Sequence, residues 1–233
     1  MEIDPLFHIT TVCVCCERKF ETSRVRPSFK QTIRRDTDFC AYYKNENPDF
    51  YVVRVCPHCG FAFTENSASK LNQAQRKNFE EKVGAASKKK DYSGKRTLEM
   101  ALETYKLALI CAQVIQDKER IVASLLHHIA WLYRYAGNEE QESRFIGYAR
   151  DSYIRVYETE SAGSSDARLM FLIGELCRRT DSFNEAVRWF SRVINDKRIV
   201  DAAMIRASRE QWATLREDML ARKMELPSEM QES

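Results

Sequence analysis

The sequence predicts a mainly α-helical protein that carries a small β-domain at its N-terminus. Three observations predict it. Cysteines cluster in two pairs ahead of residue 60. Apolar residues recur at helical spacing from about residue 97 onward. A polar stretch rich in lysine lies between the two.

The β-domain is expected over residues 1–63. Cys13–Val14–Cys15–Cys16 and Cys56–Pro57–His58–Cys59–Gly60 are each a Cys-x-x-Cys. Such a pair turns tightly enough for two sulfurs to face one ion, and two pairs supply the four thiolates of a tetrahedral zinc site. Cys13, Cys16, Cys56 and Cys59 are therefore the expected ligands of one structural Zn2+, with redox dithiols or another metal as the alternatives. A site closed by four cysteines leaves no open coordination position, which favours scaffold over catalysis. Gly60 suits its turn because glycine tolerates positive φ. Glu17 stands at the equivalent place in the first pair. The long gap between the pairs calls for a small β-element, and the run Phe50–Val55 reads as a strand delivering Cys56. Asn47–Pro48–Asp49 marks a turn.

Residues 64–96 read as a partly helical polar connector with a break near Asp91–Gly94. It holds nine basic residues against four acidic ones, a local excess of +5. A solvated linker is the plain reading, and contact with phosphate or an acidic partner is the other.

Residues 97–226 read as helices. Ala101, Tyr105 and Ala108 share one helical face, as do Ala186, Phe190 and Val193. Ile205, Ser208, Trp212, Leu215 and Met219 mark the buried face of a last helix. Breaks are expected at 136–138, 161–165 and 181–182, and residues 227–233 as a disordered tail. Gly174, Ala186 and Phe190 fit the tetratricopeptide (TPR) pattern: a small residue in one helix, a second twelve later in the next, an aromatic four beyond. A weaker copy runs through Ala130, Tyr133, Gly137 and Ala149, with Glu142 where a small residue belongs. The fold class is thus a zinc-ribbon-like β head followed by a TPR-like helical array. In such an array the first helix of each pair lines a groove. That places His127, Trp131, Arg134 and Tyr135 from one pair, and Arg168, Phe171, Glu175, Arg178 and Arg179 from the next, as partner-binding candidates. Arginines among aromatics suit an extended or acidic peptide; core packing with a solvated arginine face is the alternative.

Several motifs resemble a bacterial family of uncharacterised proteins, the domain of unknown function twenty-two twenty-five. They are Arg35–Cys40, Tyr43, Asn47–Pro48, Tyr51, Cys56–Ala62, Ala130–Arg134, Ile173–Leu176 and Trp189–Ser191. This chain departs at Cys13–Glu17, where the family more usually has Cys-Pro-x-Cys-Gly, and Cys15 competes with its neighbours there. The resemblance implies a bacterial cytoplasmic protein with a zinc-ribbon-like head and TPR-like helices, and it supplies no activity.

The charge balance, 37 Lys+Arg against 34 Asp+Glu for +3, argues against whole-protein attraction to nucleic acid or membrane. No basic, apolar leader opens the chain and no run has the length of a membrane span, so the expected location is the cytoplasm. Candidates for chemistry are few. Asp36 and Asp38 form an Asp-x-Asp that more often fixes a turn or pairs with Arg34 and Arg35 than binds metal. Cys15 is the best spare thiol, Cys40 reads as buried, and His58 as a shield for the zinc. His127 and His128 are adjacent and cannot both face one ion from a helix. The leading expectation is a non-enzymatic adaptor for a protein or peptide. A nucleic-acid-binding module using the basic connector comes second, and a thiol- or metal-dependent enzyme third. Oligomeric state is not legible.

Overall fold

A computed structural model describes residues 3–86, 89–160 and 166–231 of the 233-residue chain. The break expected at 161–165, Lys88 of the connector and residues 232–233 of the tail lie outside the described residues. The chain forms two compact units, Met1–Glu142 and Ser143–Ser233. The boundary expected near residue 63 falls inside the first.

The first unit opens with three antiparallel strand pairs. β1 (Leu6–Val12) pairs with β2 (Lys19–Val25), from Leu6 opposite Val25 to Val12 opposite Lys19. β3 (Thr32–Arg35) pairs with β4 (Ala41–Tyr43). β5 (Arg54–Val55) pairs with β6 (Ala62–Phe63). The first and third hairpins each carry one cysteine pair in their turn. The second is the β-element expected between them. The strand expected over Phe50–Val55 shrinks to its last two residues. Asn47 caps a 3-10 turn over Pro48–Tyr51 by accepting from the Asp49 N–H, and Pro48 sits at its start, so the turn signal wins over β-propensity.

The connector is more than solvated chain. α1 (Gln73–Lys82) starts with a capping box between Asn72 and Gln75. Its Phe79 is fully buried, edge-on to Phe61 at 4.9 Å. Leu71 and Tyr92 are buried too. Arg96, 3% exposed, donates to the carbonyls of Phe50, Val53 and Tyr92 and fastens the connector to the head. Burial lowers its pKa to about 10.

α2 (Leu98–Val114) and α3 (Glu119–Tyr135) pack together, and α2 also packs against β5 and β6. Ala101, Tyr105 and Ala108 form the buried face of α2 as its spacing predicts. The α2–α3 break has no Gly or Pro. It is made by Gln116 at φ 52°, with Asp117 N–H reaching back to Ala112 O.

α4 (Glu139–Glu160) begins in the first unit and continues in the second. The second unit adds α5 (Ala167–Arg179), α6 (Phe183–Asn195), α7 (Ala202–Ala221) and α8 (Ser228–Gln231). α5 packs on α6 and α7, and α6 on α7 and α8. A Cβ at Gly174 would stand 2.8 Å from the Phe190 ring, so the close approach of α5 and α6 depends on that glycine. Ala186 and Phe190 are fully buried beside it. The turn at Asp181 takes φ 55°, and Ser182 N–H returns to Cys177 O. On α7, Ser208, Leu215 and Met219 are fully buried as predicted, whereas Ile205 and Trp212 of the expected face are only half-buried. Ser228–Gln231 forms a helical turn where a disordered tail is expected, because Met230 finds a fully buried seat.

Candidate metal centre

The two cysteine turns are built alike. In the first, Glu17 N–H donates to Cys13 O and Cys13 N–H to Arg18 O, both at 2.9 Å. In the second, Gly60 N–H donates to Cys56 O at 2.8 Å and Cys56 N–H to Phe61 O at 2.9 Å. Both fifth residues take positive φ, Glu17 at 62° and Gly60 at 79°. Glycine does this freely and glutamate does not. Glu17 there makes an exposed ion pair with Arg76 of α1 at 2.5 Å.

These turns bring four sulfurs together. Cys13 Sγ lies 3.6 Å from Cys59 Sγ and Cys16 Sγ 3.7 Å from Cys56 Sγ. All four lie within 4.8 Å of one another. A tetrahedral zinc with Zn–S near 2.3 Å sets neighbouring sulfurs about 3.8 Å apart, so the donor set fits that ion in type and size. Backbone N–H groups of Cys15 and Cys16 point at Cys13, and those of His58 and Cys59 at Cys56. Among themselves the sulfurs resist ionisation. Cys13 is raised by its hydrogen bond with Cys59 and then by burial. Burial pushes Cys56 up to about 11. A divalent cation supplies the charge that reverses this and holds thiolates. Cys13 and Cys56 are fully buried, while Cys16 and Cys59 are half-buried.

Two residues flank the cluster. His58 is exposed and its Nε2 lies 3.2 Å from the Lys19 carbonyl, so it ties one turn to the other hairpin. Cys15 is buried outside the four.

A second polar constellation lies in the same unit. Asp38, fully buried, accepts from both terminal nitrogens of Arg134, at 3.0 and 2.6 Å, and from Trp131 Nε1 at 3.2 Å. His127 Nε2 lies 3.4 Å away. Asp36 takes Arg134 at 2.8 Å and the Tyr42 hydroxyl at 3.0 Å, and Glu142 takes Arg134 Nε at 2.7 Å. Burial disfavours the Arg134 charge, but Asp38 more than offsets it and holds the guanidinium protonated. Tyr135 donates to Ala41 O at 2.7 Å, and Cys40 Sγ stands 3.4 Å from its hydroxyl. Burial pushes the Cys40 thiol up to about 12, which disfavours its thiolate. Both carboxylates of the Asp-x-Asp are thus engaged in ion pairs. Arg34 does pair with Asp36, but sequence reasoning missed Arg134 on α3 as the principal partner of both.

In the second unit, Arg168 is exposed. Phe171 is buried with its ring 5.8 Å from Phe190. Glu175 is fully buried and accepts from Arg178 and Arg179 at 2.8 Å each. An open cavity of about 360 Å3 in this unit is lined by Ile194, Arg209, Trp212 and Glu229, among others. Among the described residues no helix is long and apolar enough to cross a membrane.

The model of a protein family described as uncharacterised and conserved in bacteria, DUF2225, matches residues 6–215. No curated protein and no solved structure matches the chain.

Proposed function

The chain belongs to the DUF2225 family of bacterial proteins, and from that premise we propose that it is a non-enzymatic adaptor whose head is held by one structural zinc and whose helices dock a protein or peptide. The observation that carries this reading is the convergence of Cys13, Cys16, Cys56 and Cys59. Four thiolates complete a tetrahedral shell and leave zinc no position for substrate, so the ion's contribution is folding energy. The other candidates for chemistry are committed elsewhere: Asp36 and Asp38 to Arg134, and Cys40 to the core.

The TPR-like reading of the helices supports docking. Of the partner-binding candidates, His127, Trp131, Arg134 and Tyr135 hold the head, and Arg178 and Arg179 hold Glu175. The docking surface we favour is the cavity at Trp212 and Arg209, where a cation and an aromatic stand beside Glu229, a lining suited to a peptide of mixed charge. The nucleic-acid reading has less behind it, since Arg76, Lys77, Lys90 and Lys95 of the connector each pair with a carboxylate.

The test is affinity capture from bacterial lysate with and without nuclease, using the wild type and an Arg209→Glu/Trp212→Ala double variant. The adaptor reading expects a protein that survives nuclease and is lost with the double variant. Recovery that collapses with nuclease and falls steeply with salt would shift the assignment to nucleic acid.

A further inference from the structure

The chain reverses after α7 and returns onto its own unit. Lys223 takes φ 55°, and Met224 N–H reaches back to Met219 O at 2.9 Å, which closes the helix. Pro227 then leads into α8, where Met230 N–H donates to Pro227 O at 2.9 Å. Four residues cannot hold a helical turn by themselves, because nucleation costs more than one turn returns. α8 is ordered by its packing on α6. That packing is concentrated in one side chain. Met230 is fully buried, while Ser228 and Glu229 are exposed and Leu226 and Pro227 half-buried. α8 also leaves space beside it. The cavity of about 360 Å3 has Ile194 of α6, Arg209 and Trp212 of α7, and Glu229 of α8 in its lining. A single-anchor segment therefore sits next to an unfilled extension of its own seat.

We propose that this α6–α7 face docks a short helical segment carrying one methionine-like anchor and a carboxylate, and that the chain's own Pro227–Gln231 is the resident occupant a partner displaces. The proposal rests on the adaptor reading and names the partner's chemistry. Methionine is unbranched and adaptable, so a seat that takes it also takes leucine or another unbranched-like apolar anchor. When α8 leaves, Glu229 goes with it and Arg209 stays, which favours a carboxylate on the incoming segment. The tether sets the threshold. A segment joined to α7 by a few residues is present at an effective concentration of the order of mM. A free segment offering only the same anchor loses to it. A partner wins by adding contacts in the open cavity, at Ile194 and Trp212.

The experiment uses the full chain and a fluorescent synthetic peptide with the sequence of residues 224–233 as the probe. Anisotropy reads its binding to the wild type and to Met230→Glu, which places a charge in the apolar seat and releases α8. The expected result is binding to Met230→Glu at least about tenfold tighter than to the wild type, lost when the peptide itself carries Met230→Glu. Equal affinity for the two chains, or binding indifferent to the peptide's methionine, would overturn the proposal. Should the variant fail to fold, amide hydrogen exchange of the wild type decides. A displaceable α8 exchanges well ahead of α6 and α7, and exchange as slow as theirs would overturn the proposal. Lysate capture separates the two readings. A partner that still depends on Arg209 and Trp212 while the peptide test fails defeats this proposal alone. No protein captured by either the wild type or Met230→Glu defeats the adaptor reading.

Discussion

Glu17 and Gly60 occupy the same place in two turns with the same hydrogen bonds, yet only one is a glycine. Glutamate at φ 62° is strained, and its exposed ion pair with Arg76 offsets little of that in water. Glu17→Gly is therefore expected to raise the thermal midpoint. A lowered midpoint would mean the pair outweighs the strain. Arg134 presents the opposite case, a buried cation whose removal strands Asp38. Arg134→Met should cost about 3–5 kcal/mol in denaturant unfolding, the usual penalty for breaking a buried pair. A loss near zero would show that Asp38 finds other donors. His127 adds a pH term. Burial lowers its pKa below the ordinary 6.5 despite nearby Asp38. The native state holds it neutral, so this contribution is intact above about pH 6.5, the unfolded value, and is lost as pH falls from there towards the lowered folded value. Stability measured from pH 7.5 down to 5 should fall with a slope that His127→Gln flattens. The four-cysteine cluster was legible because each of its pairs is local in sequence. The Asp38–Arg134 pair was not, because its members stand 96 residues apart and nothing near either names the other.

Elements were legible where a face repeats and obscure where a turn competes. The face of α2 followed from apolar spacing, and that of α7 did at Ser208, Leu215 and Met219 but not at half-buried Ile205 and Trp212. The strand before Cys56 was overcalled, because Asn47 and Pro48 set a 3-10 turn that ends only three residues before Arg54. The α2–α3 break was missed, since Gln116 adopts the left-handed region without the glycine that usually announces it. Gly174 was read correctly as a point of close approach, and its cost is testable. An added methyl 2.8 Å from a fully buried ring overpacks the α5–α6 contact. Gly174→Ala should destabilise by about 1–3 kcal/mol, against the roughly 1 kcal/mol that alanine gains over glycine in a helix. A stabilised variant would show that Phe190 has room to move.

At the scale of the molecule, the division into units follows packing more than composition. The composition shift near residue 63 marks where cysteines end, but Phe79, Arg96, Tyr105 and Arg134 tie later segments to the head within one unit. Metal loss should therefore loosen this unit through α3 and not the hairpins alone. Whether the four cysteines hold one ion is decided by the metal content of the purified chain, wild type and Cys13→Ser/Cys59→Ser, with cobalt substituted for zinc to read coordination from its spectrum. The account predicts one zinc per wild-type chain, the intense absorption of tetrahedral cobalt thiolate, and loss of both in the variant. A wild-type chain that folds fully without metal, or a variant that keeps its zinc, would contradict it.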